Sequence, residues 1–246
     1  MRGRRILILG GTREARELAE RLVMEGAFPT TSLAGATKAP ARPQGDLRIG
    51  GFGGVRGLTD YLASGGFEAL VDAAHPFAAQ ISAHAAEAAS LTGVPIIRLE
   101  RPPWEPQPRD KWHMFADHLS AANAVLTGDR LFLTVGRKEL APFFEREDVT
   151  GIVRTIEALD PVPRGWALVR SRPPFEVAAE CALMKGHGVD VLVTKNSGGN
   201  DTRAKLDAAR ELGVRVIMIN RPRKPNVETA STAEAILARL SALLCA

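Results

Sequence analysis

Cysteine is scarce in this sequence, with Cys181 and Cys245 as the two examples among 246 residues. The two thiols are isolated and lack the spacing of metal-ligand motifs. Their arrangement therefore predicts neither a zinc site nor a disulfide scaffold. On the same grounds, we expect no metal in the functional site.

Aromatic residues are also few, at 5% of the chain, with one Tyr and three Trp. The basic excess is mild, a formal net charge of +4, and the basic residues do not alternate with aromatic ones. Proteins that bind single-stranded nucleic acids combine a basic groove with aromatic stacking platforms. We therefore expect no nucleic-acid partner, and the small positive excess favours an anionic small molecule.

Long apolar runs are missing as well. No stretch approaches the ~20 residues that a membrane-spanning helix needs. Near the start, the apolar run Ile6–Leu9 stops after four residues at Gly10 and Gly11, which is too short for a signal peptide. The sequence predicts a cytoplasmic protein without a membrane partner.

What is present is the pattern of an α/β protein. The composition, 45% hydrophobic and 24% charged, is typical of a globular fold. Short apolar runs alternate with helical patterns in both halves, which favours mainly parallel sheets. Four prolines between Arg101 and Asp110 interrupt the alternation. We expect two Rossmann-like domains, 1–103 and 104–246, with a ligand cleft between them.

The first predicted strand ends in a glycine turn. Ile6–Leu9 is followed by Gly10 and Gly11, and Thr12 can cap the helix that comes next. Such a turn directs free backbone N–H groups at an anion such as phosphate. Thr12 and Ala15 stand where the dinucleotide fingerprint has its second and third glycines. Because any parallel α/β domain can turn this way, phosphate binding and a purely structural turn both stay open.

The second predicted strand, Phe28–Ala34, is followed by Thr37 and Lys38 and by no carboxylate. In NAD-specific folds an acidic residue at this place holds the ribose 2′-hydroxyl. A lysine and hydroxyl groups tolerate a 2′-phosphate better, so a bound dinucleotide is predicted to be NADPH. The alternative is a loop that merely lacks an acid.

A third signal lies at the strand Ala69–Asp72. It delivers His75 to the carboxyl edge of the sheet, where ligands of parallel sheets bind. Pro76 is predicted to be the first residue of a helix that reaches Ala89. Because a helix N-terminus disfavours an imidazolium, we expect a neutral, hydrogen-bonding His75, and it is the one weak candidate for a catalytic residue. His84 is predicted to be structural.

Two strand ends of the second half also carry polar groups. Thr134–Arg137 reads T-V-G-R and offers Arg137 as an anion clamp. The strand Val191–Val193 leads into T-K-N-S-G-G, whose lysine, amide, hydroxyl and backbone N–H groups suit phosphate and amide recognition. This is not a Walker loop, because the lysine precedes the glycines. A solvated loop without a ligand is the alternative.

These motifs occur together, in order and along the whole chain, and in combination they resemble the precorrin-6A reductase family of the cobalamin pathway. The motifs that carry the resemblance are G-G-T-x-E-A at 10–15, D-A-x-H-P-F-A at 72–78, T-V-G-R at 134–137, T-K-N-S-G-G at 194–199, K-L-x-A-A at 205–209 and R-P at 221–222.

The resemblance implies an NADPH-dependent oxidoreductase that reduces one double bond of the precorrin-6A macrocycle to give precorrin-6B. It also implies two Rossmann-like domains with the cofactor and the anionic tetrapyrrole between them. The cofactor supplies the difficult chemistry, so no catalytic triad or carboxylate pair is required. A relative in the anaerobic pathway acts on the cobalt complex. The sequence leaves the metal-free and the cobalt-containing substrate open, together with the proton donor and a monomeric or weakly homo-oligomeric state.

Two other functions stay open: a two-domain nucleotide-sugar transferase, which would show a catalytic acid or base near a sugar diphosphate, and a non-catalytic NADP sensor.

The motifs and the resemblance together predict a set of cofactor-binding residues in five loops. The set is Gly10, Gly11, Thr12, Glu14, Thr37, Lys38, His75, Pro76, Phe77, Gly136, Arg137, Lys195, Asn196, Ser197 and Gly198.

Overall fold

The computed structural model describes residues 1–35 and 42–244. The chain forms two compact units, one made of Met1–Pro102 and Pro222–Ala246 and the other of Pro103–Arg221. In the part of the chain that the structure describes, each unit contains one six-stranded sheet. Within the described residues every strand pair is parallel, which confirms the predicted α/β class with parallel sheets.

Across residues 1–35 and 42–244 the two units contain twelve strands and eight α-helices. In chain order they are β1 (Arg5–Leu9), α1 (Arg13–Met24), β2 (Phe28–Leu33), β3 (Asp46–Ile49), α2 (Val55–Gly65), β4 (Ala69–Asp72), α3 (Ala79–Thr92), β5 (Ile96–Leu99), β6 (Trp112–Phe115), α4 (His118–Asn123), β7 (Arg130–Leu133), α5 (Ala141–Phe144), β8 (Thr150–Thr155), β9 (Trp166–Arg170), α6 (Val177–Gly186), β10 (Val191–Lys195), α7 (Ala204–Leu212), β11 (Arg215–Ile219), β12 (Glu228–Ala230) and α8 (Ala233–Leu244).

The first sheet has the order β12-β5-β4-β1-β2-β3. Successive side chains of a strand point to opposite faces, so β1 contributes to two cores. Ile6 and Ile8 pack with apolar residues of α1 and α8, whereas Leu7 and Leu9 pack with those of α2 and α3. Burial on both faces explains why this strand reads as a continuous apolar run.

The second sheet has the order β6-β11-β10-β7-β8-β9. Phe132, Leu192 and Val216, from its three central strands, pack on one face against Met184 of α6 and Leu206 of α7. In both sheets the strand order reverses at the centre: between β1 and β4 in the first unit and between β7 and β10 in the second. Ligands of open parallel sheets bind at the carboxyl edge of such a reversal.

The last strand of the chain lies in the sheet of the first unit. β12 follows β11 along the chain but pairs with β5, whereas β11 pairs with β6 of its own unit. The expected division into 1–103 and 104–246 is therefore corrected for the last segment, which belongs to the first unit. Ile236, Leu237 and Leu240 of α8 are buried in the core around α1, a long-range contact that local sequence patterns do not reveal.

Two predicted helix starts are also corrected. Pro76 is not the first residue of a helix, because α3 begins at Ala79 and Pro76 lies in the turn before it. The sequence after Gly198 and Gly199 predicts a helix that starts near Asn200 or Asp201, but α7 begins at Ala204, and the two glycines turn the chain before it with φ of +69° and +81°. Both loops are thereby longer than expected.

Candidate functional site

In the first unit, Thr12 joins the two loops at the reversal of strand order. Its hydroxyl donates to the Ala73 carbonyl oxygen at 3.0 Å and accepts from the Ala15 N–H at 3.1 Å, so it caps α1 and binds the loop after β4. The side chain is buried, with 8% exposed. Both functions of the hydroxyl are structural, which leaves the backbone of the turn as the part that can meet a ligand.

The glycine turn has the shape that a phosphate requires. A Cβ on Gly10 would lie 2.5 Å from Thr31 Cγ2, so only glycine fits against β2. Gly11 has φ of +113°, and among the described residues no atom lies within 4 Å of the place where its Cβ would be. Open space above a helix N-terminus with free N–H groups is the usual setting for a bound phosphate. The residues present therefore fit the pyrophosphate of a dinucleotide.

Glu14 lies in the first turn of α1, where its negative charge would oppose a bound phosphate. Its carboxylate accepts two hydrogen bonds from Arg101 Nη1, at 3.1 and 2.8 Å. This ion pair compensates the charge and attaches the chain after β5 to α1. The structure thus places Glu14 in a supporting contact beside the turn.

His75, Pro76 and Phe77 form a turn after β4. The Phe77 N–H donates to His75 Nδ1 at 3.2 Å, and the two rings lie 6.0 Å apart between centroids. A ring nitrogen that accepts a hydrogen bond carries no proton, so this geometry describes a neutral imidazole with its proton on Nε2. The neutral state of His75 stays a prediction, and the turn after β4 rather than a helix N-terminus is the feature that supports it.

Asp72, the last residue of β4, holds the start of this loop by a hydrogen bond. Its carboxylate, 0% exposed, accepts from Arg98 Nε at 2.9 Å and from the Ala74 N–H at 3.3 Å. Arg98 also donates to the Pro225 carbonyl oxygen at 2.9 Å, which attaches the returning segment before β12. Thr37 and Lys38, the predicted determinants of the 2′-phosphate, lie outside the described residues.

In the second unit, Lys195 ends β10 at the reversal of strand order. Its ammonium lies 3.4 Å from Glu139 Oε1, and its side chain is 15% exposed. Gly136 makes this contact possible, because a Cβ at that position would collide with the Glu139 carboxylate. Arg137 lies beside it and is exposed. The carboxyl edge thus presents the exposed Arg137 beside the Lys195–Glu139 ion pair.

His118, the first residue of α4, belongs to the same cluster. Burial is the main factor that lowers the pKa of His118; the Glu139 carboxylate opposes this shift and the Lys195 ammonium adds to it. His118 Nε2 is buried and has no hydrogen-bond partner within residues 1–35 and 42–244. Sequence reasoning missed both His118 and Glu139. The helix cap at Asp117, directly after a strand, was the available signal.

The Asn196 side chain anchors its own loop. Its Oδ1 accepts from the Trp104 N–H at 2.7 Å, and its Nδ2 donates to the Trp104 carbonyl oxygen at 3.1 Å. Arg221 donates to the carbonyl oxygens of Asn196 and Ser197, at 2.9 and 3.1 Å. Gly198 follows in the left-handed region. The start of the loop is thus held at its carbonyl groups by Arg221 and at its N–H groups, which donate to the carbonyl oxygens of Ile219 and Lys195.

The described parts of the chain contain no group of three His, Cys, Asp or Glu side chains that could hold a metal ion. Likewise, no helix in those parts is long and apolar enough to cross a membrane.

Comparison with known proteins agrees with this geometry. Residues 5–241 match the family described as precorrin-6x reductase CbiJ/CobK. The chain is 49% identical over 224 residues to a precorrin-6A reductase of Rhodococcus erythropolis, covering 90% of each chain. It is 32% identical to a cobalt-precorrin-6A reductase of Priestia megaterium, over 94% of this chain and 96% of that one.

A solved structure described as CobK precorrin-6A reductase superimposes with a TM-score of 0.93 and 38% identity, over 98% of this chain and 97% of the other. The family matches across both units, its relatives are covered along most of their length, and the fold is shared. These findings lead to one assignment. The chain belongs to the precorrin-6x reductase family.

Proposed function

We propose that this protein reduces one double bond of the precorrin-6A macrocycle to give precorrin-6B, with NADPH as the reductant, in cobalamin biosynthesis. The observation that carries the proposal is the 49% identity to a precorrin-6A reductase across 90% of both chains. Relatives named for the cobalt complex are less similar, at 26 to 32% identity. This difference supports the metal-free macrocycle as the substrate.

The cofactor is assigned to the glycine turn of the first unit. A bound nicotinamide cofactor supplies the hydride. Gly10 and Gly11 give the space and the backbone conformation for its pyrophosphate, and Thr12 holds the turn in place. The choice of NADPH over NADH rests on the sequence after β2, where no carboxylate is available for a ribose 2′-hydroxyl.

The second unit is assigned to anionic groups. Its carboxyl edge carries the exposed Arg137 and the Lys195–Glu139 ion pair, with the half-buried His118 beside them. A macrocycle with acetate and propionate groups is attracted to cations at such an edge. The protein is further proposed to be cytoplasmic, a monomer or weak homo-oligomer, and without a nucleic-acid partner.

The direct test is an assay of the purified protein with precorrin-6A and NADPH, followed by the loss of nicotinamide absorbance. We expect turnover with NADPH and lower catalytic efficiency with NADH. Equal or better efficiency with NADH refutes the cofactor choice, and faster turnover of the cobalt complex refutes the substrate choice. Tightly bound NADP without turnover on any tetrapyrrole favours the sensor, and nucleotide-sugar binding without NADPH binding favours the transferase.

Lys195→Ala tests the second-unit site. The change removes a charged contact worth about 1.5–3 kcal/mol, so affinity for NADPH or for the anionic substrate should fall roughly ten- to a hundredfold. Thermal stability should barely move, because the pair with Glu139 is partly exposed. Lys138→Ala, an exposed lysine in the same loop region, is the matched control. Unchanged binding and turnover in Lys195→Ala would remove this loop from the site.

A further inference from the structure

Trp104 differs in burial from the residues on either side of it in the chain. Of residues 102–109, a proline-rich stretch that is otherwise exposed, it alone is buried, with 5% exposed. Its backbone N–H and carbonyl groups are both bonded to the Asn196 side chain, and its indole Nε1 donates to the Gly199 carbonyl oxygen at 2.8 Å. Trp104 therefore holds the loop between β10 and α7 at its first residue, Asn196, and near its middle, at Gly199.

The indole ring faces a buried cation. Lys205, near the start of α7, places its ammonium 5.4 Å from the centre of the Trp104 ring, and the residue is 5% exposed. Its charged neighbours are Arg154 from β8, Glu180 from α6 and Lys195 from β10. Glu180 is already bound by Arg154 through two hydrogen bonds, at 3.1 and 2.6 Å. The ring of Trp104 is thus a principal partner for the ammonium.

Lys205 occupies a buried position where an apolar side chain would be more favourable in free energy. Leu206, Ala208 and Ala209, its neighbours on α7, are fully buried in the apolar core. Burial lowers the pKa of Lys205 to about 7; the positive charges of Arg154 and Lys195 act in the same direction and Glu180 opposes them. A buried cation that gains or loses its proton near neutral pH is an unfavourable choice for packing alone.

We propose that Trp104 and Lys205 form a positioning pair that holds the β10–α7 loop in its ligand-binding shape. Trp104 does so through Asn196 and Gly199, and Lys205 does so by holding the indole ring. The effect on the loop follows from the contacts themselves; its consequence for ligand affinity rests on the proposed function. As the pH rises through about 7, Lys205 loses its charge, the ring contact weakens and the loop loosens.

Hydrogen exchange of the backbone amides in residues 196–203 tests the pair without any substrate. Lys205→Met removes the charge, Lys205→Arg keeps it at all relevant pH values, and Trp104→Phe keeps a ring but loses the indole N–H. At pH 6 we expect loop exchange in Lys205→Met to be about two- to thirtyfold faster than in the wild type, and at pH 8 to be nearly equal to it.

The other variants separate charge from packing. Lys205→Arg should protect the loop equally at both pH values, and Trp104→Phe should expose it at both. Lys185→Met, an exposed lysine of α6, is the matched control and should change nothing. If Lys205→Met does not fold, the proposal is tested by Lys205→Arg alone, in which the pH dependence of loop exchange should be lost. Loop exchange at the wild-type rate in Lys205→Met, together with an unaltered pH dependence of loop exchange in Lys205→Arg, would overturn the proposal.

Steady-state kinetics then connect the loop to binding. KM for NADPH or precorrin-6A should rise in Lys205→Met at pH 6 with kcat little changed, and the rise of the wild-type KM above pH 7 should disappear in Lys205→Arg. A loosened loop with unchanged KM refutes the link to binding. A pH-dependent loop in a protein that does not oxidise NADPH with precorrin-6A refutes the proposed function and leaves the positioning pair in place.

Discussion

The two units have equivalent strand orders but bury their charges in different places. In the first unit the buried pair Asp72–Arg98 joins register partners on the neighbouring strands β4 and β5. In the second unit the buried pair Arg154–Glu180 joins strand β8 to helix α6. One pair thus secures the sheet beneath the turn at His75, and the other secures a helix layer next to Lys205 and Trp104. A shared topology therefore fixes where ligand loops lie, but not how they are held.

The loops themselves show the same contrast. After β1 and after β7 a threonine hydroxyl donates across the reversal of strand order, Thr12 to the Ala73 oxygen and Thr134 to the Val193 oxygen, both at 3.0 Å. Beyond this common bond, the first unit relies on a bare glycine turn, whereas the second unit uses side chains such as Trp104 from distant parts of the chain. The first loop is shaped locally, and the second is shaped by long-range contacts.

The largest effect on the free energy of unfolding should come from helix α8, which belongs to the first unit and packs in its core. Ile236→Ala combined with Leu240→Ala removes two side chains that are 0% exposed, and each such change costs about 2–5 kcal/mol of unfolding free energy. Urea denaturation measures the loss. Leu243→Ala, on the same helix but 44% exposed, is the control and should cost far less. Hydrogen exchange should accelerate in α1, and an equal or greater acceleration in α7 would contradict the assignment of α8.

Next in size are the two buried ion pairs. Asp72→Ala leaves the Arg98 charge unpaired and Glu180→Ala leaves the Arg154 charge unpaired, so each should cost about 3–5 kcal/mol in the free energy of unfolding. Hydrogen exchange should locate the first loss in β4 and β5 and the second in α6. Replacing both Asp72 and Arg98 by apolar residues should recover much of the loss. No recovery in that double variant would show that Asp72 stabilises the fold through other contacts.

Lys205 should act on stability with a defined pH dependence. Its pKa is about 7 in the folded protein against 10.5 for an unperturbed lysine, so the unfolded state binds more protons between these values. The free energy of unfolding of the wild type should therefore increase as the pH rises from 7 to 10.5, because Lys205 is then neutral in the folded protein. Below pH 7 the full cost of burying the charged ammonium is present. Lys205→Met should be more stable than the wild type at pH 6, by an amount on the order of a few kcal/mol.

The difference between Lys205→Met and wild type, measured by thermal unfolding from pH 6 to pH 10, should shrink as the pH rises. The exposed Lys185 offers the control, because Lys185→Met should show a flat difference. A constant advantage of Lys205→Met across this range would mean that Lys205 titrates normally in the folded protein.

The smallest effects should come from the paired threonines. Thr12→Val loses both a helix cap and the bond to Ala73, about 2 kcal/mol of unfolding free energy together. Thr134→Val loses one bond, for about 1 kcal/mol. Urea denaturation of the two variants, measured side by side, resolves this difference. Equal losses would indicate that the Thr12 cap adds nothing to the stability of α1.

Features that depend on neighbouring residues could be predicted from the sequence. The buried strand Ile6–Leu9, the glycine turn after it, the cap at Thr12 and the parallel α/β class all follow from local patterns, and the structure confirms them. Short apolar strands buried on both faces and glycines with positive φ leave a direct trace in the sequence. The start of α3 was misplaced, because Pro76 suits a turn as well as a helix start.

Other features were decided only when the chain folded. β12 has three residues and carries no apolar run, so its place beside β5 depends on the packing of α8 against α1. The contact between Lys195 and Glu139 joins positions 56 residues apart, and Trp104 is buried in a stretch whose prolines predict a linker. Local patterns determined the strands and turns, whereas long-range burial and charge pairing determined which side chains meet at their ends.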